Sequence, residues 1–478
     1  MAEFEAVIGL EIHVELNTLS KLFSRARNRF GDEPNTNIGV VCTGQPGALP
    51  VLNKAAIRKA VQLGLAIDAE VQTYSRFDRK SYFYPDSPRG FQITQFTHPI
   101  IKGGKVTAEV DGVEQTFSVR SAHLEDDAGM LKHFSSFAGV DYNRAGVPLI
   151  EIVSDPCIHT PEEAAAYAMS IKAILQYLDV SDCNMEEGSL RMDANISVRE
   201  KGETTLRNKI EIKNMNSFSF LVLALHAEIK RQIKVYSEGG TITPSTYRWD
   251  AEKGQTVMMR KKEMNEDYRY FPEPDLVPIV LTKEFIEEER KLLPELPRAR
   301  EKRYVDTLGL SLHHAFLLTA DKRLADYFDK ALSVTKNAKS LCSWMLVEFP
   351  GRFKEHGKDL VASGIKPEAV GELIKLVDEG KITGKMAKSV ADEMVATPDR
   401  LPSDIIKGSS AYQTVGSADE LSPIIQEVLN QNLQSVTDFK QGRDKAFAFL
   451  VGQVMKKTQG KADPTMVNQL LKTSIEKM

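Results

Sequence analysis

Acidic and histidine side chains alternate with apolar ones in the first strand-like segment of the chain. In residues 8–16 the even positions are all apolar, whereas the odd positions include Glu11, His13 and Glu15. Successive residues of a strand point to opposite faces, so these three side chains share one face. Carboxylates and imidazole are ligands that hold divalent cations. The spacing therefore indicates a candidate metal site on a polar strand face.

The same alternation recurs further along the chain. Its polar positions are Arg191, Asp193, Asn195 and Arg199 in residues 190–199, and Glu211 and Lys213 in residues 207–213. In residues 117–125 a regular strand would place His123 and Glu125 on the face of Phe117 and Val119. Several strands of this kind predict a sheet with one polar face.

A solvated sheet face is the ordinary explanation for any one of these strands. Two details favour a binding site instead. Asp193 and Asn195 lie in mid-strand, although Asp and Asn are poor strand formers. Glu151 is a lone carboxylate in the apolar run 148–153, where burial of an unpaired charge is costly. A bound cation would account for both.

Phosphate is the natural co-ligand of such a cation, because proteins usually hold Mg²⁺ with one or two carboxylates plus phosphate oxygens. A site for Mg²⁺ and ATP is therefore expected, although the sequence has no GxxxxGK[ST] phosphate loop. The candidate nucleotide-binding residues are Arg191, Arg199, Lys213 and Asn195, with Lys80 as a further cation.

The pattern of elements predicts an α+β fold followed by helices. Strands mixed irregularly with helices at 161–178 and 217–237 indicate an antiparallel-sheet catalytic domain over residues 1–293. Helical periodicity dominates after Pro294 and Pro297, which gives a helical domain at 294–402 and a helical tail domain at 403–478. The predicted helices are 316–333, 338–349, 367–379, 384–396, 418–432, 442–457 and 464–476, the last capped by Asp463.

Bulk composition excludes several classes of protein. The chain has 478 residues, a net charge of −4 and no apolar run long enough for a membrane span. The net charge gives no global basic footprint for nucleic acid, which leaves a local one open, and DNA is not an expected partner. Its four cysteines are scattered without a CxxC pair, which fits a cytoplasmic protein without disulfides or a zinc knuckle.

The last 39 residues are locally basic. From Lys440 to Met478 there are eight Lys or Arg against three Asp or Glu. The candidate RNA-contacting residues are Arg443, Lys445, Lys456, Lys457 and Lys461. Such a patch suits phosphate contacts, but a solvated face of a helical bundle would have the same composition.

Several long motifs, in order, resemble one known family. They are Gly9–Val14, Asp78–Asp86, His123–Gly129, Asp141–Glu151, Met185–Arg191, Asp193–Asn195 and Asp267–Asp275, with Phe449–Lys456 and Val467–Leu471 near the end. Together they resemble GatB, the family of B subunits of bacterial aspartyl/glutamyl-tRNA amidotransferases, over nearly the whole chain. The resemblance implies a cradle-shaped catalytic domain and a YqeY-like tail that meets tRNA.

The resemblance also implies a reaction. ATP phosphorylates the side-chain carboxylate of Glu-tRNA(Gln) or Asp-tRNA(Asn), and ammonia displaces the phosphate. The glutaminase subunit GatA would supply the ammonia, and the small subunit GatC would bridge the complex. The implied metal ligands are Glu11, His13, Asp126 and Asp193, with Glu125, Glu151 and Glu211 nearby and Lys80 at the ammonia route. The candidate catalytic residues are Glu125, Asp126, Lys80 and Glu151.

Two departures from the family's pattern matter. Many relatives have Glu where this chain has Asp126, which leaves open whether Glu125 or Asp126 touches metal. Where some relatives have four zinc-binding cysteines, this chain has Ser24, Ala26, Gly39 and Cys42, so no zinc is expected. A non-catalytic tRNA-binding scaffold is the main alternative, and an ATP-dependent ligase acting on a free metabolite is a third.

Overall fold

The computed structural model describes residues 3–261, 268–354, 357, 359–409, 412, 418–458, 461–462 and 464–477. The chain divides into two units, Met1–Pro297 and Arg298–Met478. The predicted cap Asp463 lies outside the described residues. Within the described residues, no helix is both long and apolar enough to cross a bilayer.

The first unit contains a large sheet, two small sheets and four helices among its described residues. Its strands are β1 (Phe4–Glu15), β2 (Glu70–Val71), β3 (Tyr74–Ser75), β4 (Asp78–Ser81), β5 (Phe91–Thr94), β6 (Ile101–Lys102), β7 (Lys105–Val110), β8 (Val113–Asp126), β9 (Met130–His133), β10 (Ala138–Asp141), β11 (Pro148–Ser154), β12 (Leu190–Glu200), β13 (Ile210–Lys213), β14 (Ser245–Asp250), β15 (Gln255–Lys261), β16 (Phe271–Pro272) and β17 (Ile279–Val280). Its helices are α1 (Lys54–Ala66), α2 (Pro161–Tyr177), α3 (Phe218–Ser237) and α4 (Lys283–Lys291).

The large sheet runs in the order β15-β14-β13-β12-β1-β11-β8-β5-β4-β16. Its pairs are antiparallel except for the parallel pair β13 and β14, so the predicted antiparallel sheet is in fact mixed. From Ile8 to Val14 the even residues of β1 are completely buried in a core to which α2 and α3 also contribute. The odd residues of β1 are thereby left to the opposite face.

A β-bulge in β8 changes the face of its last residues. Val153 of β11 pairs with Ser121, but the next residue, Ser154, pairs with Val119. One extra residue of β8 therefore lies between these pairs, and the alternation shifts by one. Phe117 and Val119 are buried in the core, whereas His123 points to the polar face. The predicted shared face of His123, Glu125, Phe117 and Val119 is wrong for this reason.

The second unit consists mainly of helices in its described residues. Its helices are α5 (Pro297–Leu308), α6 (Leu312–Thr319), α7 (Lys322–Leu332), α8 (Ala338–Ser343), α9 (Phe349–Phe353), α10 (Pro367–Asp378), α11 (Gly384–Ala396), α12 (Pro402–Lys407), α13 (Ala418–Gln431), α14 (Leu433–Lys440), α15 (Asp444–Lys457) and α16 (Pro464–Lys477). Two separate apolar cores form. One consists of buried residues in the range 304–412 of the sequence, and the other of buried residues in the range 421–475. The α+β prediction for the chain is confirmed.

Candidate active site

Five neighbouring strands, β13, β12, β1, β11 and β8, bring polar side chains to one face of the large sheet. Glu11 of β1 pairs with Asp193 of β12, and His13 pairs with Glu151 of β11 on its other side. Directly opposed residues of neighbouring strands have Cβ atoms only about 5 Å apart. Alternation within each strand and the register between strands together bring these carboxylates to one region of the polar face.

The first cluster consists of His13, Glu125 and Glu151. Each offers a ligand atom within 4.8 Å of the other two. His13 Nε2 lies 3.4 Å from Glu151 Oε2, and His123 Nε2 lies 3.5 Å from the same oxygen. Glu151 thus lies between two imidazoles. The lone carboxylate in an apolar run is partnered, as the cost of its burial requires.

The second cluster consists of Glu11, Asp193 and Glu211, again with ligand atoms within 4.8 Å of one another. Lys213 Nζ lies 2.5 Å from Asp193 Oδ2 and 3.1 Å from Glu211 Oε1. Asn195 Nδ2 donates a 2.9 Å hydrogen bond to Glu11 Oε1. The polar mid-strand residues Asp193 and Asn195 therefore contact other residues of the site.

Protonation in both clusters is set by burial and by neighbouring charge. Burial and the charges of Glu151 and Glu211 raise the pKa of Glu11. Burial alone would lower the pKa of His13, but its hydrogen bond with Glu151 and the surrounding carboxylates outweigh this and raise it. Burial likewise opposes ionisation of Glu151, yet the two histidines hold its pKa down at about 2.

The donor set of both clusters fits a divalent cation. In the second cluster, burial first and then the charges of Glu151 and Glu211 raise the pKa of Glu11, and a dication would offset both effects. Carboxylate oxygens with one histidine suit Mg²⁺ or a similar ion. A cation in the second cluster would share Asp193 and Glu211 with the ammonium group of Lys213.

A cavity of about 320 Å³ opens beside the first cluster. Glu125, Glu151 and His13 line it together with cationic side chains. The cations are Lys80, Arg89, Arg191 and Lys213. Lys80 Nζ lies 4.9 Å from the centre of the Tyr268 ring, and Arg191 pairs with Asp127. A cavity lined by both carboxylates and cations could hold a metal ion and phosphate groups together.

Glu125 and Asp126 have different surroundings. Glu125 belongs to the first cluster, whereas Asp126 belongs to neither. Asp126 pairs with Arg89 and accepts a 2.9 Å hydrogen bond from the Ile93 amide. The β-bulge in β8 explains why the two residues differ. After the bulge, Asp126 alternates with Ala122 and Leu124, which point into the core, whereas Glu125 points to the polar face. Asp126 still reaches the cavity wall at the end of β8.

Arg199, a predicted nucleotide-binding residue, is not brought to this site. It pairs with Glu5, with Nε 2.6 Å from Oε1, and is absent from the described cavity lining. Glu5 is six residues from Glu11 along β1, a distance of about 20 Å in a strand. Arg199 therefore points to the predicted polar face of the sheet, but it lies too far along β12 from the two acidic clusters to belong to the site.

Three residues of the site carry no predicted role. His123 alternates with Glu125 in the sequence, as His13 does with Glu11, and it contacts both Glu125 and Glu151. Arg89 and Asp127 line the cavity from loop positions. Loop residues follow no regular alternation of polar and apolar positions, so the sequence pattern cannot predict that they face the site.

The predicted tail residues are spread over α15 and its flanks. Arg443, Lys445, Lys456 and Lys457 are exposed. Arg443 Nη1 lies 3.2 Å from Asp438 Oδ1, and Lys457 pairs with Glu427.

At the positions compared with a zinc knuckle, Ser24 Oγ and Cys42 Sγ are 3.4 Å apart.

The fold and the site together define a class of protein: an α+β domain with a cavity lined by carboxylates and cations, followed by a C-terminal part whose described residues are mainly helical. Comparison with known families agrees. Residues 6–287 match the family described as the GatB/GatE catalytic domain, and residues 326–475 match the GatB domain.

Full-length relatives point to the same family. The chain is 65% identical over 480 residues to the B subunit of the aspartyl/glutamyl-tRNA(Asn/Gln) amidotransferase of Protochlamydia amoebophila, covering 99% of this chain and 97% of that protein. It is 56% identical to the protein of the same name from Chlamydia pneumoniae, covering 100% and 99% of the two chains. The chain belongs to the GatB family, which confirms the resemblance seen in its motifs.

Proposed function

We propose that this chain is the B subunit of a tRNA-dependent amidotransferase and carries its carbon–nitrogen ligase site. The main support is the pair of acidic clusters, the first of which lines a cavity together with Lys80, Arg191 and Lys213. The names of its relatives support the substrate class, which is Asp-tRNA(Asn), Glu-tRNA(Gln) or both.

The reaction needs activation because a carboxylate is a poor electrophile. An oxygen of the substrate carboxylate attacks the γ-phosphorus of ATP, the bond to the β-phosphate oxygen breaks, and ADP leaves. Ammonia then attacks the acyl carbon, and phosphate leaves with the bonding electron pair. The nitrogen loses one proton, and the side-chain amide remains. Catalysis of phosphoryl transfer is mainly positioning and neutralisation of charge.

Each polar residue has a task in this proposal. One Mg²⁺ would be held by Glu11, Asp193 and Glu211 and another by His13, Glu125 and Glu151, and bound Mg²⁺ supplies charge neutralisation at the phosphates. Arg191, paired with Asp127, and Lys213 line the cavity and would meet the phosphates of ATP. Asn195 would orient Glu11 by its hydrogen bond, and Lys80, which lines the cavity, would meet the incoming ammonia.

Partner subunits complete the activity. The sequence contains neither an amidase-type Ser-Ser-Lys loop nor a GxSxG nucleophile turn, so ammonia comes from another chain. A glutaminase subunit of the GatA type and a small GatC-type subunit would form a cytoplasmic heterotrimer with this one. The basic tail would contact the tRNA backbone through Arg443, Lys445, Lys456, Lys457 and Lys461.

Substitution of single ligands tests this proposal. In the three-subunit complex, His13→Ala and Asp193→Ala should each abolish tRNA-dependent ATP cleavage while tRNA still binds. His226→Ala is a matched control, because His226 is an exposed histidine of the same unit that pairs with Glu162. Persistent ATP cleavage in both ligand variants would leave this chain as a tRNA-binding scaffold. Amidation of a free metabolite without tRNA would favour the third hypothesis.

A further inference from the structure

A small hairpin formed by β9 and β10 stands apart from the large sheet as its own two-stranded sheet. Phe134 and Phe137 form its tip, with 53% and 63% of their surfaces exposed. Their rings are stacked, with centroids 4.6 Å apart and planes at 23°. Exposed aromatic pairs of this kind mark interaction sites, because burying them on a partner is favourable.

The root of the hairpin is fixed to the rim of the cavity. Ala128, which precedes β9, lines the cavity and accepts a 3.0 Å hydrogen bond from Arg144 Nε. The Gly129 amide donates to the Asp86 carbonyl over 2.8 Å, and the Gly129 carbonyl accepts from Arg144 Nη2. From Ala128 to Phe134 an extended chain spans about 20 Å. The aromatic tip is therefore held at a limited distance from the acidic clusters.

The charge near the tip of the hairpin favours an anionic partner. Between Ala128 and Val140 the ionisable side chains are Lys132 and His133, whereas Asp141 ends β10 at the root, where it accepts hydrogen bonds from the Asn35 and Asn143 amides. Lys132 and His133 are both exposed. Nucleic-acid bases stack on aromatic faces, while lysine meets the phosphate backbone. Two nearly parallel phenyl rings present outward faces suited to unpaired bases.

We propose that the tip of this hairpin binds the unpaired 3′ end of the substrate tRNA, with a base stacked on Phe134 or Phe137 and Lys132 near the phosphates. The inference rests on the proposed function, because a tRNA-linked carboxylate must reach the cavity. It adds a contact that holds the strand leading to that carboxylate.

The test uses the three-subunit complex and tRNA that carries 2-aminopurine in its unpaired 3′ end. The wild-type complex should quench this fluorescence by stacking. Phe134→Leu/Phe137→Leu should abolish the quenching and raise KM for misacylated tRNA by about tenfold, with kcat unchanged. Phe137→Trp should retain both properties. Phe316→Leu is the control, because Phe316 is a comparably exposed residue (54%) of α6.

Each contrary outcome is distinguishable. Unchanged quenching and KM in a double variant that melts at the wild-type temperature would overturn the inference. Failure of that variant to co-purify with its partner subunits would make the tip a protein-docking surface, which also overturns it. A wild-type complex that quenches the probe but does not amidate misacylated tRNA would refute the proposed function and not the stacking contact.

Discussion

Glu125 and Asp126 are neighbours in the sequence but differ in what they contact. Because Glu125 lies in the first cluster, Glu125→Gln should weaken Mn²⁺ binding at least about tenfold, as measured by titration calorimetry. Asp126→Asn should leave metal affinity nearly unchanged. It should lower the free energy of unfolding by about 3 kcal/mol instead, since it breaks the buried pair with Arg89.

Denaturant melts of both variants provide the control for this prediction. Glu125→Gln should melt close to the wild type, because among the described residues its ion-pair partner is the imidazole of His123 rather than a buried arginine or lysine. The assignment of the ligand would be reversed if Asp126→Asn lost metal binding and Glu125→Gln retained it.

At single residues, strand periodicity predicted the face of a side chain better than its place along the strand. Glu11, His13 and Asp193 share both the predicted face and one neighbourhood. Arg199 has the same parity as Asp193 but lies near Glu5 at the other end of β1. Register between strands decides which residues meet, and it depends on tertiary contacts that no single strand reveals.

At the scale of elements, the departures from prediction have local causes. The predicted helix 316–333 is two helices, because Asp321 caps α7 by accepting from the Arg323 amide over 2.8 Å. The helix predicted at 338–349 contains a π-helical turn, Trp344–Glu348. The helical spacing of apolar residues continues across the break before α7 and across the π-helical turn. The sequence pattern therefore predicts the helical segments but not these two interruptions.

The packing of α5 on α7 gives a prediction for stability against pH. Asp329 accepts hydrogen bonds from Arg300 and Arg303. Although burial opposes ionisation, these bonds hold the pKa of Asp329 below its ordinary value. Stability from this group is therefore complete above the unfolded-state pKa of about 3.9 and is lost as pH falls through the lower folded-state pKa. Asp329→Asn should cost about 2 kcal/mol at pH 7 and should flatten the acid limb of the unfolding curve.

A matched control for Asp329 is Asp392, whose carboxylate also meets an arginine but is 65% exposed. Asp392→Asn should change the free energy of unfolding by less than about 0.5 kcal/mol, because exposed pairs contribute little. Chemical denaturation of the full chain from pH 3 to pH 7 measures both variants. Equal losses in the two would show that burial of the Arg300 network adds nothing.

At the scale of the whole molecule, charge is unevenly distributed. The chain has a net charge of −4, although residues 440–478 alone contribute a balance of +5. The apolar core between Leu421 and Ile475 is separate from the core that ends with Ile405 and Tyr412. A truncation that preserves the core containing Ile405 and Tyr412 must therefore retain Tyr412, and a truncation at residue 403 would remove it.

A chain ending at Gln413 should separate tRNA binding from the acidic site. We expect weaker tRNA affinity and a shallower dependence of affinity on salt, because each lost phosphate contact reduces the slope of log K against log salt by about 0.7–0.9. Metal binding at Glu11 and His13 should persist, since their strand belongs to the first unit. Filter binding at several salt concentrations and calorimetry with Mn²⁺ measure the two effects. An unchanged salt slope with unchanged affinity would show that the basic tail is only a solvated helical surface.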